Sequence, residues 1–581
     1  MKNSEGNILS MLVAGFIAMT LSLPVLAQTT QIEEVVVTAR KRDEALLNVP
    51  VVVNAYNAKE IESAGILRPQ DFVALTPNMT MVQTQNQGTS FIVVRGISQA
   101  RNSEPSVAVL IDGVLMANPS QFNQELFDIA SIEVLKGPQG ALYGRNAIGG
   151  AVIIRTTEPG DEIAGSLMAG YDSGPGYRAR FSVGGPIGDS DTWKFQLSGS
   201  YFDTDGYINN PYLDEEADPF RDVSGRLKLI WEPNDSVKAD FRLSFSQVDT
   251  QALYFNITEQ ADDTSLPVRV NNPGENERDM FGASLKLDFD LGGGTLTSIT
   301  AYDELQELLT GDQFDFLPIA DSVLFNCPLF FCGADQAQHQ WLDVEAVSQE
   351  IRYTSSAEER LRWILGAYVI ATDRFISTGN VFDFGSGVVP RVKRTPLPQY
   401  NPQVSFLADS QDNLAWAAFG ELSYDITDRV EGSVALRYDN DERENTTETP
   451  QEFIPAGISC TPPPPAVASD PCASTGDVRK ETWDELQPKV TLRFKPNENV
   501  MTYLSYSHGF RSGGFNQTGV GSTVPEIPGI NDLFDEETAD TYEAGIKARF
   551  KDNRVMVGAS IFHTQAEGSY FFVFDPNTST Q

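Results

Sequence analysis

Positive charge is scarce in this chain of 581 residues. Lysine and arginine together number 42 against 80 aspartates and glutamates, which leaves a net charge of −38. Proteins that bind nucleic acid need basic patches to neutralise phosphates, so this composition argues against a nucleic-acid partner. The same balance disfavours an anionic cargo, unless basic side chains on polar strand faces gather inside a lumen. The candidates for such a lining are Arg226, Lys228, Arg437, Lys547 and Arg549.

Long hydrophobic runs are missing after the N-terminus. Residues 8–26 are mostly apolar, and no later segment approaches the ~20 apolar residues of a membrane-spanning helix. A helical membrane protein is therefore excluded, whereas a membrane β-barrel is not, because its strands are apolar on one face only. The length of the chain predicts several domains or one large barrel.

Cysteine and histidine are too few for most metal and nucleophile chemistry. The chain has four cysteines and three histidines, and zinc sites need clustered ligands at defined spacing. No Gly-x-Ser-x-Gly nucleophile motif occurs. We therefore predict no enzyme activity, no metal and no cofactor. An enzyme built on an acidic pair inside a barrel stays open as an alternative, since acidic residues abound.

Residues 1–27 are typical of a secretory signal peptide. Lys2 gives a positive start, the apolar run follows, and Ala27 offers a small residue for cleavage before Gln28. The alternative is a transmembrane anchor, which the small-residue end and the polar residues after it disfavour. The sequence thus predicts an exported protein.

The rest of the chain is organised around residues 132–157. Two β-prone runs flank a glycine-dense region, which predicts two strands joined by tight, closely packed turns. The region is not a phosphate-binding loop, because Gly144 is followed by Arg145 instead of lysine and a hydroxyl residue. The series IEVLKGPQGALYG at 132–144, followed by IGG at 148–150, resembles the plug-domain signature of TonB-dependent outer-membrane receptors. Ile153 departs from the signature, which has asparagine there.

The resemblance implies an all-β membrane barrel of 22 antiparallel strands with an N-terminal α/β plug domain. We assign the plug to residues 43–158, where RGI at 95–97 and IDGV at 111–114 also match the family. Within it the pattern predicts strands at 50–53, 91–97 and 107–111, and helices at 58–64 and 68–75. The barrel is assigned to residues 161–581.

Residues 28–42 contain a short β-prone segment before a basic run. An exposed segment of this kind adds as a strand to the sheet edge of a partner, and an ordinary edge strand is the alternative. The segment resembles the TonB box of the family and lies at the same place, just after the signal peptide. The resemblance implies TonB binding by Glu33, Glu34, Val35, Val36, Val37, Thr38 and Ala39.

From residue 161 onward apolar and polar residues alternate with period two. Segments at 193–201, 430–439 and 542–550 each show it over nine or more residues, with aromatic residues towards their ends. Such strands have one face for lipid and one for a lumen, as in outer-membrane barrels. The resemblance places the protein in the outer membrane of a Gram-negative bacterium.

Short turns alternate strictly with long polar segments, as periplasmic turns and external loops do in membrane barrels. The predicted short turns are residues 185–191, 232–236, 291–294, 355–359, 426–429, 495–499 and 551–553. The predicted loops are residues 203–219, 246–276, 304–339, 372–412, 439–480 and 508–535. Cysteines pair in oxidising compartments, so we expect two disulfides within loops, Cys327–Cys332 and Cys460–Cys472, with free thiols as the alternative.

The strand count is about 15, fewer than the 22 of plugged transporters. An odd number leaves the last residue outside the cell and the end strands without partners. We therefore expect that the sequence continues beyond residue 581 with about seven more strands.

The resemblance implies import of a scarce, bulky solute, most often a ferric siderophore, energised through TonB. Cobalamin, glycan or plant aromatic cargo are alternatives, and a surface adhesion barrel is a rival from another class. Arg95 and Arg145 are expected to anchor the plug by pairing with lumen-facing Glu431 or Glu543, because a buried cation needs a carboxylate. Two solvated arginines are the alternative.

Overall fold

Within the residues that the structure describes, the alternating segments form one sheet of fifteen antiparallel strands, which agrees with the predicted count. Neighbouring strands follow one another in chain order, as hairpin connections require. We call this sheet the barrel wall. The computed structural model describes residues 36–83, 90–100, 103–251, 268, 270, 272–312, 335–383, 391–394, 403–454, 474–516, 533–550 and 555–570.

The strands of the wall lengthen towards its middle. They are β10 Ala164–Asp172, β11 Gly176–Pro186, β12 Trp193–Thr204, β15 Phe220–Asn234, β16 Val237–Thr250, β17 Glu275–Asp290, β18 Gly294–Asp312, β19 Asp335–Ser355, β20 Leu361–Asp383, β21 Gln403–Thr427, β22 Val430–Thr447, β23 Val478–Asn497, β24 Val500–Arg511, β27 Glu537–Phe550 and β28 Val555–Glu567. Two-residue ladders lie between some of them: β13 Asn209–Asn210 with β14 Glu215–Glu216, and β25 Gly514–Phe515 with β26 Leu533–Phe534.

Six of the seven predicted short turns join consecutive strands of the wall, and the seventh, 551–553, lies outside the described residues. We call that end of the wall the short-turn end and the other the long-loop end. The predicted loop boundaries are wrong at several strands. β18, β20 and β22 continue eight or more residues into segments predicted as loops, because their polar side chains face the lumen or solvent while the backbone ladder continues.

Two strands stand at the ends of the strand order. Among the described residues, β10 pairs only with β11 and β28 only with β27. Leu167 of β10 and Ile561 of β28 are 82% and 75% exposed. The continuation of the sequence beyond residue 581 stays a prediction.

A smaller folded unit fills the lumen, and we call its residues 44–157 the plug. Its strands are β2 Glu44–Ala45, β3 Val53–Asn57, β4 Met79–Gln83, β5 Ser90–Val94, β6 Val107–Ile111, β7 Val114–Leu115, β8 Ile129–Lys136 and β9 Gly150–Thr156, and its helices are α1 Ala58–Ala64, α2 Pro69–Leu75 and α3 Gly140–Tyr143. One sheet has the order β3-β8-β9-β6-β7, with β6 parallel to β9. In front of it, β1 Val36–Val37 pairs with β2.

Local chemistry explains the plug helices. Asn57 and Glu60 form a reciprocal capping box at the start of α1, and Gly65 ends it in the left-handed conformation. Both helices lie where the sequence places them, to within one residue. The predicted strand at 50–53 is wrong in position, because the ladder with β8 begins at Val53. No helix within the described residues is both long and apolar enough to cross a membrane.

Candidate functional site: the contacts between plug and barrel wall

Gly140 and Gly144 of the glycine-dense stretch lie directly against side chains of the wall. We call residues 137–149 and the strands β21–β24 that they touch the glycine face. An ideal Cβ at Gly144 would lie 2.6 Å from Nη2 of Arg437, and the φ of Gly144 is +96°, which favours glycine. The backbone N–H of Asn146 donates to the carbonyl of Phe510 in β24 at 3.1 Å. The predicted arrangement of two strands joined by tight turns corresponds to β8, the glycine-dense stretch and β9.

Arg145 makes the central ion pair of the glycine face. Its guanidinium bonds the Asp441 carboxylate, which Arg443 also contacts at 2.6 Å. Arg443 in turn binds Glu104 of the plug at 3.0 Å. Burial alone would raise the pKa of Glu104, yet Arg443 and Arg145 hold that pKa below its ordinary value. Glu431 and Glu543 were the expected partners of Arg145, and that part of the prediction is wrong.

Arg95 faces a different part of the wall. Its Nη2 lies 2.6 Å from Oε2 of Glu543, and its guanidinium stacks 4.0 Å from the ring of Phe562 in β28. Both side chains of the ion pair are buried. The structure therefore brings together Arg95 and one of the two carboxylates named for it. Whether the pair anchors the plug energetically stays a proposal.

Residues 36–43, which we call the N-terminal segment, are clamped at the short-turn end of the wall. Arg40 binds both Glu421 and Glu431, the latter at 3.2 Å, and Lys41 binds Glu350 at 2.8 Å. Burial lowers the pKa of Lys41 to about 8, against the opposing effect of Glu350. Glu431 therefore binds the N-terminal segment, and its carboxylate also pairs with Arg362 and Arg493 of the wall.

The plug holds the other side of the N-terminal segment. The backbone N–H of Thr38 donates to both carboxylate oxygens of Glu133, at 3.0 and 2.9 Å, and the hydroxyl of Tyr143 donates to the carbonyl of Thr38. Burial raises the pKa of Glu133. Val37 and Ala39 are buried, so the expectation of an exposed segment is wrong for them. Residues 33–35 lie outside the described residues.

Several wall cations donate to backbone carbonyls of the plug. Arg226 bonds Phe127, Lys228 bonds Thr157 and Lys547 bonds Val49, each at 2.8 Å. Arg437 instead pairs with Asp439 of its own strand, and Arg549 also has a partner. These side chains were candidates for a lining that attracts anionic cargo, but the first three hold the plug in place.

Two other predictions concern residues or groups outside this interface. All four cysteines lie outside the described residues, so both disulfides stay predictions. Within the part of the chain that the structure describes, no cluster of three or more histidines, cysteines or carboxylates is arranged to hold a metal ion.

Comparison with known proteins agrees with this architecture. Residues 248–581 match the family model "TonB dependent receptor-like, beta-barrel" and residues 45–151 match "TonB-dependent Receptor Plug Domain". The chain belongs to the TonB-dependent receptor family. Members of this family are transporters and not enzymes, and they are outer-membrane β-barrel proteins of Gram-negative bacteria.

Three relatives illustrate the match. The pesticin receptor of Yersinia pestis is 32% identical over 215 residues, 36% of this chain and 32% of the receptor, so the match spans about a third of that relative. The probable TonB-dependent siderophore receptor PiuA of Acinetobacter baumannii is 23% identical over 92% of this chain and 70% of its own length. The crystal structure of the ferric yersiniabactin uptake receptor FyuA from Yersinia pestis superposes with a TM-score of 0.70, at 19% identity, over 89% of this chain and 72% of that one.

Proposed function

We propose that this TonB-dependent receptor imports a ferric siderophore across the outer membrane. The observation that carries the proposal is a lumen filled by a plug, whose N-terminal segment lies at the short-turn end. A barrel with a wide lumen must be occluded, and a plug held by reversible ion pairs occludes it without sealing it covalently. The relatives named above are receptors for siderophores, ferric yersiniabactin or pesticin. Their names support an iron chelate as cargo.

The proposed contact with TonB is strand addition at residues 33–39. Val36–Val37 is already a strand, paired with Glu44–Ala45, so its backbone has the conformation that strand addition uses. Because Val37 and Ala39 are buried, the segment must first leave Glu133 and the wall. The ion pairs of Arg40 and Lys41 therefore belong to the resting state of the transporter.

Uptake assays in iron-limited cells test the proposal. The strain lacks its other siderophore receptors, and radioactive iron is supplied as a hydroxamate, a catecholate or a phenolate complex. Accumulation that depends on both this protein and TonB supports the proposal. If growth depends on the protein when cobalamin, a glycan or a plant aromatic is the limiting nutrient, and does not depend on it when iron complexes are supplied, the cargo is a different one. Adhesion without TonB-dependent uptake would contradict a transport function.

Val36→Pro tests the contact with TonB separately. Proline removes a backbone donor and disfavours pairing with a partner strand. We expect uptake to be lost while the same iron complex still binds to whole cells. The matched control is Val82→Pro, at an exposed position of β4, which pairs with β5 and not with the segment. Normal uptake with Val36→Pro would remove the TonB assignment.

A further inference from the structure

A cavity of about 120 Å³ separates the plug from the wall at β12 and β15–β18, away from the glycine face. Such a volume holds several water molecules, given that one needs roughly 10–15 Å³. The wall side carries small side chains, and we call this lining the serine wall: Ser198, Ser224, Ser244, Ser246, Gly282 and Ser284. The plug side is formed by the hairpin of β6 and β7 and by residues 121–128.

The register of the wall explains why the space exists. Arg226, Ser244, Gly282 and Asp303 are cross-strand neighbours in one row on the lumen side of β15–β18. Gly282 contributes no side chain to this row, and Ser244 contributes only a hydroxymethyl group. Asp303 adds a carboxylate to the lining. A gap is therefore built into the wall at this row.

One end of the cavity is closed by the tip of the β6–β7 hairpin. Asp112 has a φ of +53° at this tip, and its carboxylate lies 2.6 Å from Nη1 of Arg242 in β16. An ideal Cβ at Gly113 would lie 3.3 Å from Ile299 of β18, so the tip touches the wall at two strands. Arg242 and Ile299 are near the short-turn end of their strands. The hairpin tip thus forms the floor of the cavity.

The other end is closed by the turn at Pro119–Gln121. Arg278 of β17 donates to the carbonyl of Ser120 at 3.0 Å and also bonds the carbonyl of Asn123. Arg278 is buried and lies near the long-loop end of its strand. We call this turn the roof of the cavity, because its Gln121 belongs to the lining.

We infer that the imported solute passes along the serine wall while the glycine face stays attached. This inference rests on the proposed function. Ligand pockets for compounds of siderophore size need roughly 300–1,000 Å³, so roof and floor must both move. Their movement separates the contacts of Arg242 and Arg278 with the plug. Two further cations of the same lining, Arg226 and Lys228, must also release the plug carbonyls that they bond. On the glycine face the plug already fits closely against wall side chains at Gly140 and Gly144. Its release would separate this fit, a backbone hydrogen bond and buried ion pairs.

A pair of reversible crosslinks tests the inference. Asp112→Cys with Arg242→Cys locks the floor, and Gln139→Cys with Lys489→Cys locks the glycine face, where the two native side chains meet at 2.9 Å. Both pairs are joined by a short bismaleimide that contains a reducible bond, and mass spectrometry verifies the crosslink. The controls are the four single variants and the parent chain with its native cysteines. The readout is uptake of radioactive iron supplied as the hydroxamate, catecholate and phenolate complexes.

We expect the floor crosslink to abolish uptake, reduction to restore it in the same cells, and the glycine-face crosslink to leave uptake unchanged. Unchanged uptake with the floor crosslinked would overturn the inference. Equal loss with either crosslink would also overturn it, because the plug would then have to leave as a whole. A parent chain that imports no radioactive iron from any complex would overturn the proposed function. The inferred passage along the serine wall, which rests on that function, would then be overturned as well.

Discussion

The two sides of the plug meet the wall in opposite ways. On the glycine face, glycines lie directly against side chains of the wall, and Arg145 and Glu104 pair with buried charges of β22. On the serine wall, small side chains leave a gap of about 120 Å³, and four cations of the wall bond the plug around it. The comparison teaches that polar contacts bind the plug on both sides, but that the plug fits closely against the wall on one side and leaves a gap on the other. We therefore expect different strands of the wall to hold the plug during transport and to line the proposed passage of the solute.

The largest effect is expected from a matched pair of glycine substitutions. Gly144→Ala would place Cβ 2.6 Å from the buried Arg437 guanidinium in a strained backbone, and we expect a loss of about 3 kcal/mol in the free energy of unfolding. Gly282→Ala adds the same atom to the serine wall, 2.8 Å from a hydroxyl that can rotate away, and should change stability little. Denaturant unfolding of the purified protein in detergent measures both. Equal losses would remove the distinction between the two sides.

The next effect concerns the buried charges of the glycine face. Arg145→Ala leaves the fully buried Asp441 with Arg443 as its remaining cation, and removal of one partner of a buried pair costs about 3 kcal/mol. The double variant Arg145→Ala with Asp441→Asn should recover part of that loss. A double-mutant cycle on the same unfolding measurement checks it. A coupling energy of zero would show that the pair does not hold the plug.

A smaller effect is expected at the N-terminal segment. Arg40→Ala removes the link to Glu421 and Glu431. We expect the free energy of docking to fall by about 1.4 kcal/mol, which corresponds to a factor of about ten. A cysteine at the buried position 37 should then react with a maleimide about tenfold faster. The exposed pair of Arg155 and Asp43 provides the control, since Arg155→Ala breaks a solvated contact of little energetic value. Equal labelling rates in both variants would mean that the buried pairs do not hold the segment.

The smallest effect is a pH dependence of the same labelling rate. Burial raises the pKa of Glu133 in the docked state, so that state binds more protons than the released one. Docking should therefore be strongest in acid and weaken as the pH rises through the raised pKa of Glu133. Glu133→Gln should remove this dependence. Maleimide reacts with the thiolate, whose fraction rises with pH in every variant, so the rate is compared with that of Glu133→Gln at each pH. A ratio of the two rates that does not change with pH over that range would contradict the assignment.

Much of the plug could be predicted because its signals are local. The capping box of α1, the turn at Asp112–Gly113 and the glycine-dense stretch each depend on neighbours in the sequence. The wall could be predicted in outline, since period-two alternation and short turns also act over a few residues. The lengths of β18 to β22 could not, because polar strands above the membrane and polar loops have the same composition.

The partners of the charged groups could not be predicted. Arg145 and Asp441 are 296 residues apart, and their contact depends on how the wall curves around the plug. Glu431 faces the lumen as expected, but its height in the wall places it beside Arg40. The serine wall gave no signal either, because serine and glycine on a lumen face are common wherever strands alternate. Such features depend on the register between neighbouring strands and on how the wall curves around the plug. Neither can be read from a single segment of the sequence.

The most direct test of the account compares two serines that face the lumen on different sides. Ser244→Cys lies on the serine wall, and Ser507→Cys lies on β24, two residues from the Gly509 that packs against Pro138. Energised cells are given a membrane-impermeant maleimide with and without the iron complex that supports growth. The account predicts that transport raises the labelling of Ser244→Cys and leaves that of Ser507→Cys unchanged. Labelling that rises at Ser507→Cys, or equally at both, would contradict it.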